Sequence, residues 1–529
     1  MKTRTALLVP VLFALALTVP GSWREGYLHE DEWRNAVMTR QMAATGRAVN
    51  PRLHANLVPD YPPLYFWTAV TLAHPDRPLT EQVPPIAVRF PSILGAALLA
   101  LGTALLGLRF GSRRTALAAG VLVSVIPALH LEERRAMIDP LFSGLACLSV
   151  ALLAEASAWT FLLGVLLLAL TWLTKGPLGA AVVGLALLGG EGALFLVERS
   201  DLKGRLLRGA LALIAVLLIG WAWFGYAYVT QGQEFGDNLF YTQTILRFLH
   251  GEGVIHQHEK AWSFYFKTTL PALLPIGAFA VRPRWSRSSI FAAGWFVLVL
   301  AFFSYSNTKR SYYLMPAYPA VALLAASFFE IQLPAWATVA WQTAFRWLLA
   351  AAIVVGVLLG FYARELREVG LAFALAATLA FVAFVELAGR RKPALAVASV
   401  VAFILATVSA TVVPWIAKRH SVEELVAPLA KVKHFAVSPP GVHREAICFW
   451  FGASAVCGVE EDVPGLKDRP DPAKVKEFLA KYPPGEAAVI VLRRDVEGDY
   501  PPFNDPSLLP LAASDDEEAS EAYVAVGRR

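Results

Sequence analysis

Charge and cysteine are scarce in this chain. Of its 529 residues, 17% are Asp, Glu, Lys or Arg, against about a quarter in a soluble globular protein. Hydrophobic residues make up 56% and the mean hydropathy is +0.51, so the balance is displaced toward lipid. An ordinary cytosolic enzyme, a disordered chain and a collagen-like fibre are excluded at this step. Three cysteines make neither a disulfide framework nor a paired-cysteine zinc site. The sequence has no G-x-x-x-x-G-K-[ST] loop and no G-x-G-x-x-G fingerprint, so a nucleotide-driven pump or a nucleotide-sugar enzyme lacks its parts. Internal repeats are missing too.

The net charge is +6, from 47 basic and 41 acidic residues. The basic residues fall in short clusters between apolar runs, the pattern of membrane topology rather than of a phosphate-tracking groove. Nucleic acid is therefore not expected as a partner. A membrane span needs roughly 20 mostly apolar residues, and about thirteen segments qualify: 5–20, 86–108, 115–131, 136–154, 158–174, 176–198, 208–230, 265–281, 288–304, 311–329, 341–361, 369–388 and 394–416. The first, behind Lys2 and Arg4, reads as a signal peptide or an uncleaved signal anchor; either choice leaves residue 21 onward on the outer side. With a cytoplasmic N-terminus, the inner loops hold Arg109/Arg113/Arg114, Arg199/Lys203/Arg205/Arg208, Arg282/Arg284/Arg287 and Arg390/Arg391/Lys392, each within a few residues of a span end.

The expectation is thus a polytopic α-helical membrane protein. Residues 1–417 form the membrane domain with outer loops 21–85 and 231–264, and residues 418–529 form a small outer α/β domain. In that tail Glu445–Gly452, Ala487–Leu492 and Ala522–Val526 read as strands and Pro472–Lys481 as a helix. Cys448 and Cys457 form a disulfide there or remain two buried thiols; Cys147, within a span, is read as a small apolar residue.

Charges at span ends cost free energy and need a reason. The outer face collects His29–Arg34, Asp60–Tyr65, Glu132–Pro140, Lys175, Arg247 with His250, His256, His258 and Lys260, and Thr308–Tyr313. Each has a bland reading. Asp31 and Glu32 can be solvated or capping, Lys175 can snorkel, Lys309 and Arg310 can anchor at the interface, and Asp139 can pair with Arg134 or Arg135. His256-x-His258 is weak evidence for a metal. Together, though, carboxylates and separated cations on one face fit a site where a base activates a hydroxyl and cations hold a phosphate leaving group. A lipid-phosphate-linked sugar would supply such a donor outside the cytoplasm.

The run Asp31-Glu32-Trp33-Arg34, followed by Asp60-Tyr61-Pro62-Pro63-Leu64-Tyr65-Phe66-Trp67, resembles the first periplasmic loop of the ArnT-like glycosyltransferases, relatives of the protein O-mannosyltransferases with the GT-C fold. The resemblance continues through Arg89-Phe90-Pro91-Ser92, Arg134…Asp139, Thr174-Lys175-Gly176-Pro177, Arg247-Phe248 and Phe303–Pro319, covering about residues 5–330. It implies transfer of a sugar from a polyprenyl-phosphate carrier such as undecaprenyl phosphate to lipid A, another glycan or a protein at the periplasmic face of a bacterial inner membrane. It also implies Asp31 as catalytic base, oriented by Glu32 and Arg34, with Asp139 the second acidic position. Arg134, Lys175, Arg247, Lys309 and Tyr313 fall at positions near the carrier phosphate and sugar. One departure is Asp60-Tyr61-Pro62-Pro63 where the family commonly has Glu-Lys-Pro-Pro: Tyr61 can donate a hydrogen bond to the phosphate but supplies no charge, which counts against aminoarabinose transfer to lipid A. Asp60 keeps an acidic position that in some relatives lies near a divalent ion, and metal dependence stays open; no other cofactor is implied. The alternative, a flippase of polyprenyl-linked glycans, calls for ionisable residues deep within spans and a pathway to both faces.

Overall fold

The computed structural model describes residues 2–23, 30–45, 61–74, 83–155, 157–198, 202–231, 260–306, 308–330, 335–362, 367–389, 392–419, 429, 432, 434–438, 472–492, 508–513 and 523–528. Helices dominate: α1 (Thr3–Thr18), α2 (Glu30–Thr45), α3 (Leu64–Val70), α4 (Pro85–Phe110), α5 (Arg113–Val123), α6 (Pro127–Glu133), α7 (Ile138–Leu153), α8 (Ala158–Lys175), α9 (Leu178–Glu198) and α10 (Leu202–Gln231). After them come α11 (Phe264–Ala272), α12 (Ile276–Ala280), α13 (Arg287–Tyr305), a 3-10 turn (Ser311–Ala317), α14 (Tyr318–Phe328), α15 (Ala335–Tyr362), α16 (Arg367–Gly389) and α17 (Pro393–Arg419).

Each of the thirteen apolar segments coincides with helix. Among the described residues α4, α8, α9, α10 and α13 are long and apolar enough to cross a membrane, and α5 with α6, bent by 65°, makes a sixth if counted as one span. Two segments expected as single spans are broken. Residues 115–131 divide between α5 and α6, where Pro127 cannot continue the preceding helix and instead starts the next. Residues 265–281 divide between α11 and α12, with Pro271 and Pro275 removing two backbone donors at the junction. The segment 311–329 opens as 3-10 turn rather than α-helix, and Pro316 lies inside that turn. The segment 21–85, expected as a loop, carries α2 and α3, neither anticipated.

The chain falls into two compact units, one comprising Met1–Ser22, Asp60–Tyr65 and Arg89–Val412, the other Trp23–Pro59, Phe66–Val88 and Val413–Arg529. In the first, glycines set how closely helices approach. A Cβ on Gly144 of α7 would lie 2.3 Å from the carbonyl oxygen of Gly95 on α4, and one on Gly189 of α9 would lie 2.3 Å from that of Gly294 on α13. Without a hydrophobic force between helices in lipid, such backbone-to-backbone packing is a main source of association. Trp172, Trp295, Phe142, Phe291 and Tyr318 fill the space between the helices and are fully or almost fully buried.

The second unit contains α2, whose Glu32 and Arg40 are buried charges engaged in interactions, and a four-stranded sheet. Its strands are β1 (His434–Ser438), β2 (Ala487–Leu492), β3 (Leu508–Ala513) and β4 (Tyr523–Arg528), in the order β1-β2-β4-β3. β1 pairs parallel with β2, as a crossover requires, and that crossover carries α18 (Pro472–Ala480). β4 pairs antiparallel with β2 and β3. Val475, Phe478 and Leu479 form the buried stripe of α18, which packs on β2 and β4. Pro510 sits on edge strand β3, beside a register irregularity, where its missing N–H is tolerated. Of the expected tail elements, β2, β4 and α18 are present; β1 and β3 are two strands that the sequence pattern does not single out. Glu445–Gly452, Cys448 and Cys457 lie outside the described residues.

Candidate active site

Asp139 sits in the first turn of α7. Pro140 follows it at a position whose backbone N–H has no intrahelical partner, so proline costs nothing there. The helix dipole favours a carboxylate at this end. A serine on α4 fixes where the helix begins: Ser92 Oγ donates to the Met137 carbonyl at 2.7 Å and accepts from the Met137 N–H at 3.1 Å. The Gly95–Gly144 crossing holds the same two helices together one turn further on.

Lys175 is the last residue of α8, where a cation complements the negative helix end. Gly176 caps the helix with φ +64° and donates its N–H to the Trp172 carbonyl at 2.7 Å, a conformation that excludes most side chains. α7 and α8 have 16 and 18 residues and are joined by a short connection, so an antiparallel hairpin returns the end of α8 to the beginning of α7. Residues 36 apart in sequence thereby meet: Lys175 Nζ lies 2.6 Å from Asp139 Oδ1, and the two side chains are only 5% and 7% exposed.

Three rings enclose the ammonium. Its nitrogen is 5.5 Å from the ring centroid of Tyr61, 5.6 Å from that of Phe142 and 5.1 Å from that of Tyr313. Cation–π attraction at this range is worth about 0.5–2 kcal/mol per ring, more as water is excluded. Tyr265 of α11 has a fully buried hydroxyl within electrostatic reach of Asp139 and Tyr313. The arrangement combines an anion, a cation and phenols in a largely dry place, where charge that develops on a ligand is felt strongly.

The remaining expected residues divide. Arg134 donates to the carbonyls of Leu17 at 2.6 Å and Pro20 at 2.7 Å, tying down the end of α1, while Arg135 pairs with Glu132 at 3.2 Å. Lys309 is buried, and its ammonium donates to the carbonyls of Ser306 and of Lys260, the latter at 2.9 Å. Desolvation pushes its pKa below the usual lysine value. It stands four residues before Tyr313 in the chain. Arg247, Asp60, His250, His256 and His258 lie outside the described residues. Among the described residues no group of three or more His, Cys, Asp or Glu side chains suits a metal ion.

No family model matches the sequence. A Pseudomonas aeruginosa protein, undecaprenyl phosphate-alpha-4-amino-4-deoxy-L-arabinose arabinosyl transferase, is 30% identical over 339 residues, covering 61% of this chain and 59% of its own length. The Serratia proteamaculans protein of the same name is 27% identical over 352 residues, 62% of this chain and 60% of its own. The chain thus aligns with about three fifths of these curated relatives. An uncharacterised Aquifex aeolicus protein is 29% identical over 321 residues, 59% of this chain and 70% of its own. In three dimensions the crystal structure of ArnT from Cupriavidus metallidurans bound to undecaprenyl phosphate matches with a TM-score of 0.71 at 19% identity, over 98% of this chain and 97% of that one. The chain shares the fold of ArnT.

On that fold, the motifs sort by unit. Tyr61, Asp139, Lys175 and Tyr313, from four separate motifs, converge in the first unit. Asp31, Glu32 and Arg34 share α2 of the second, Glu32 buried and the other two half-buried, all three engaged in interactions. Sequence reasoning missed Phe142, though a ring three residues after Asp139 lies on the same helical face. It also missed Tyr265, for which no sequence signal stood out.

Proposed function

We propose that the chain is an integral membrane glycosyltransferase that moves a sugar from an undecaprenyl-phosphate donor to a cell-envelope acceptor: lipid A, another glycan or a protein. The reading rests on the Asp139–Lys175 pair in its three-ring enclosure, carried on the fold of a protein crystallised with undecaprenyl phosphate. In this account Asp31 accepts the proton of the acceptor hydroxyl as its oxygen attacks the anomeric carbon. The bond between that carbon and the phosphate oxygen breaks, its electron pair stays on undecaprenyl phosphate, and configuration inverts. Negative charge grows on the leaving phosphate, so a nearby cation helps the transition state more than the ground state. Lys175 and Lys309, with Arg247, are the cations assigned to this work; Tyr61 and Tyr313 orient the phosphate through their hydroxyls, and Glu32 and Arg34 orient Asp31.

The same proposal includes thirteen spans, an inner-membrane location with the site on the periplasmic face, and a tail from residue 418 that folds as a periplasmic α/β domain. One spatial relation supports the orientation. α7 carries Asp139 at its beginning, and just beyond its end Glu155 pairs with Arg109 at 3.3 Å while its carbonyl accepts from Arg208 at 3.0 Å. The helix of 16 residues, about 24 Å long, thus separates the candidate site from the clustered arginines expected to face the cytoplasm.

Transfer from undecaprenyl-phosphate-linked sugars is measured in membranes containing the wild-type chain or Asp31→Asn. Loss of the base lowers turnover by about 10²–10⁴-fold while the protein remains folded. Full activity in the variant contradicts the assignment of the base.

A further inference from the structure

Helices α7 to α10 enclose a second, apolar space of about 190 Å³, at the end of the first unit opposite Asp139. Its lining includes Leu153, Leu168, Val183, Leu187, Glu191 and Arg208. Glycines account for it. Gly184 and Gly192 on α9 and Gly209 on α10 line the space, and a Cβ at any of them meets nothing within 4 Å. Their neighbours behave differently: a Cβ on Gly189, Gly190 or Gly220 would fall within 2.3–2.4 Å of another helix. One set of glycines lets helices touch, and the other keeps a gap open between them. A gap in a packed interior forfeits dispersion contacts on every wall, which an occupant of matching chemistry restores.

The surroundings say what reaches it. On α8 Leu162, Leu163 and Leu166, and on α10 Leu207, Leu211, Leu213 and Ile214, are between 43% and 61% exposed. In a membrane protein that face meets lipid rather than water. Two ionisable side chains of opposite sign line the space. Glu191 lies seven residues before the end of α9 and Arg208 six after the start of α10, so each sits about 10 Å inside the hairpin end at 1.5 Å per residue. Arg208 donates Nη1 to the Glu155 carbonyl, which fixes the guanidinium, and its planar fork has further donors that suit a phosphate. Basic pockets between spans hold anionic lipid headgroups; this space differs in being lined by a carboxylate as well as a guanidinium.

We propose that α7–α10 form a phospholipid site, with an acyl chain in the glycine-lined space and the headgroup phosphate on Arg208. The Glu191 carboxylate favours a zwitterionic headgroup that also carries an ammonium, as in phosphatidylethanolamine, and disfavours a headgroup whose net charge is negative. The site lies apart from the proposed sugar-transfer chemistry and does not depend on it.

Native mass spectrometry of the purified full-length chain, equilibrated with equal phosphatidylethanolamine and phosphatidylglycerol in detergent, tests this. The wild type retains one phosphatidylethanolamine in preference to phosphatidylglycerol. Arg208→Ala retains it roughly tenfold more weakly, the loss of one charge-assisted hydrogen bond. Gly184→Leu starts from a Cβ with nothing within 4 Å and puts its remaining atoms into the space, so it loses the lipid while its melting temperature holds, which separates occupancy from folding. Retention by Gly184→Leu equal to wild type overturns the proposal, as does preference for phosphatidylglycerol or unchanged retention by Arg208→Ala.

Discussion

Asp139 and Lys175 neutralise each other in a place with almost no water, and that makes the pair asymmetric in its response to mutation. Removing one partner strands a buried charge, which costs about 3–5 kcal/mol, whereas replacing both by apolar groups is far milder. Asp139→Asn therefore lowers thermal stability sharply. The double variant Asp139→Asn/Lys175→Met recovers much of that loss yet stays inactive in sugar transfer. A thermal melt paired with an activity assay on the wild type, Asp139→Asn, Lys175→Met and the double variant reads both effects; an active double variant removes the pair from the site. The three rings bear on the same point, because they surround the ammonium and add to the exclusion of water around it. Asp139, Lys175, Tyr61 and Tyr313 were each legible in the sequence as members of short motifs, but their mutual contact was not. Pairing with Arg134 or Arg135 looked simplest from sequence proximity; the helical hairpin instead delivers Lys175, and Arg134 binds the carbonyls at the end of α1.

At the scale of helices, position follows from small residues. Gly95 and Gly144 let α4 and α7 touch backbone to backbone, and Ser92 latches the start of α7 one turn away. Gly144→Leu places side-chain atoms where Cβ alone already lies 2.3 Å from a carbonyl oxygen. The helices must separate, and both melting temperature and transfer activity fall. Gly184→Ala serves as the control, since its Cβ meets nothing within 4 Å and a helical Gly→Ala change gains about 0.5–1 kcal/mol in backbone terms. If Gly144→Leu melts like the control, the close crossing does not position Asp139. Helix existence was readable from apolar runs, whereas breaks were less so. Pro127, Pro271 and Pro275 stood in plain view, yet hydropathy averaged across them and merged α5 with α6 and α11 with α12. β1 and β3 were missed because His434–Ser438 and Leu508–Ala513 carry weak alternation, and pairing with β2 and β4 supplies what pattern does not.

For the whole molecule, the argument turns on which end faces which compartment. Trp262 and Trp285 flank α11 and α12 and are 71% and 68% exposed. In a background without native cysteines, Trp262→Cys reacts in intact spheroplasts with a membrane-impermeant maleimide, and Trp285→Cys reacts only after permeabilisation. The reverse pattern inverts the topology and moves the site to the cytoplasmic side. The scarcity of charge first marked this chain as a membrane protein, and the distribution of the few charges located the candidate site. Its acceptor was never in the pattern, because hydroxyl and phosphate acceptors make similar demands on a base and a set of cations. The most direct test of the central claim uses purified protein, undecaprenyl-phosphate-linked sugars and an envelope extract, and follows undecaprenyl phosphate release and acceptor mass together. The account predicts that release matches acceptor glycosylation one for one, and that Lys175→Met abolishes both. Sugar-lipid that crosses reconstituted vesicles unchanged, with no undecaprenyl phosphate released from any donor, would contradict it.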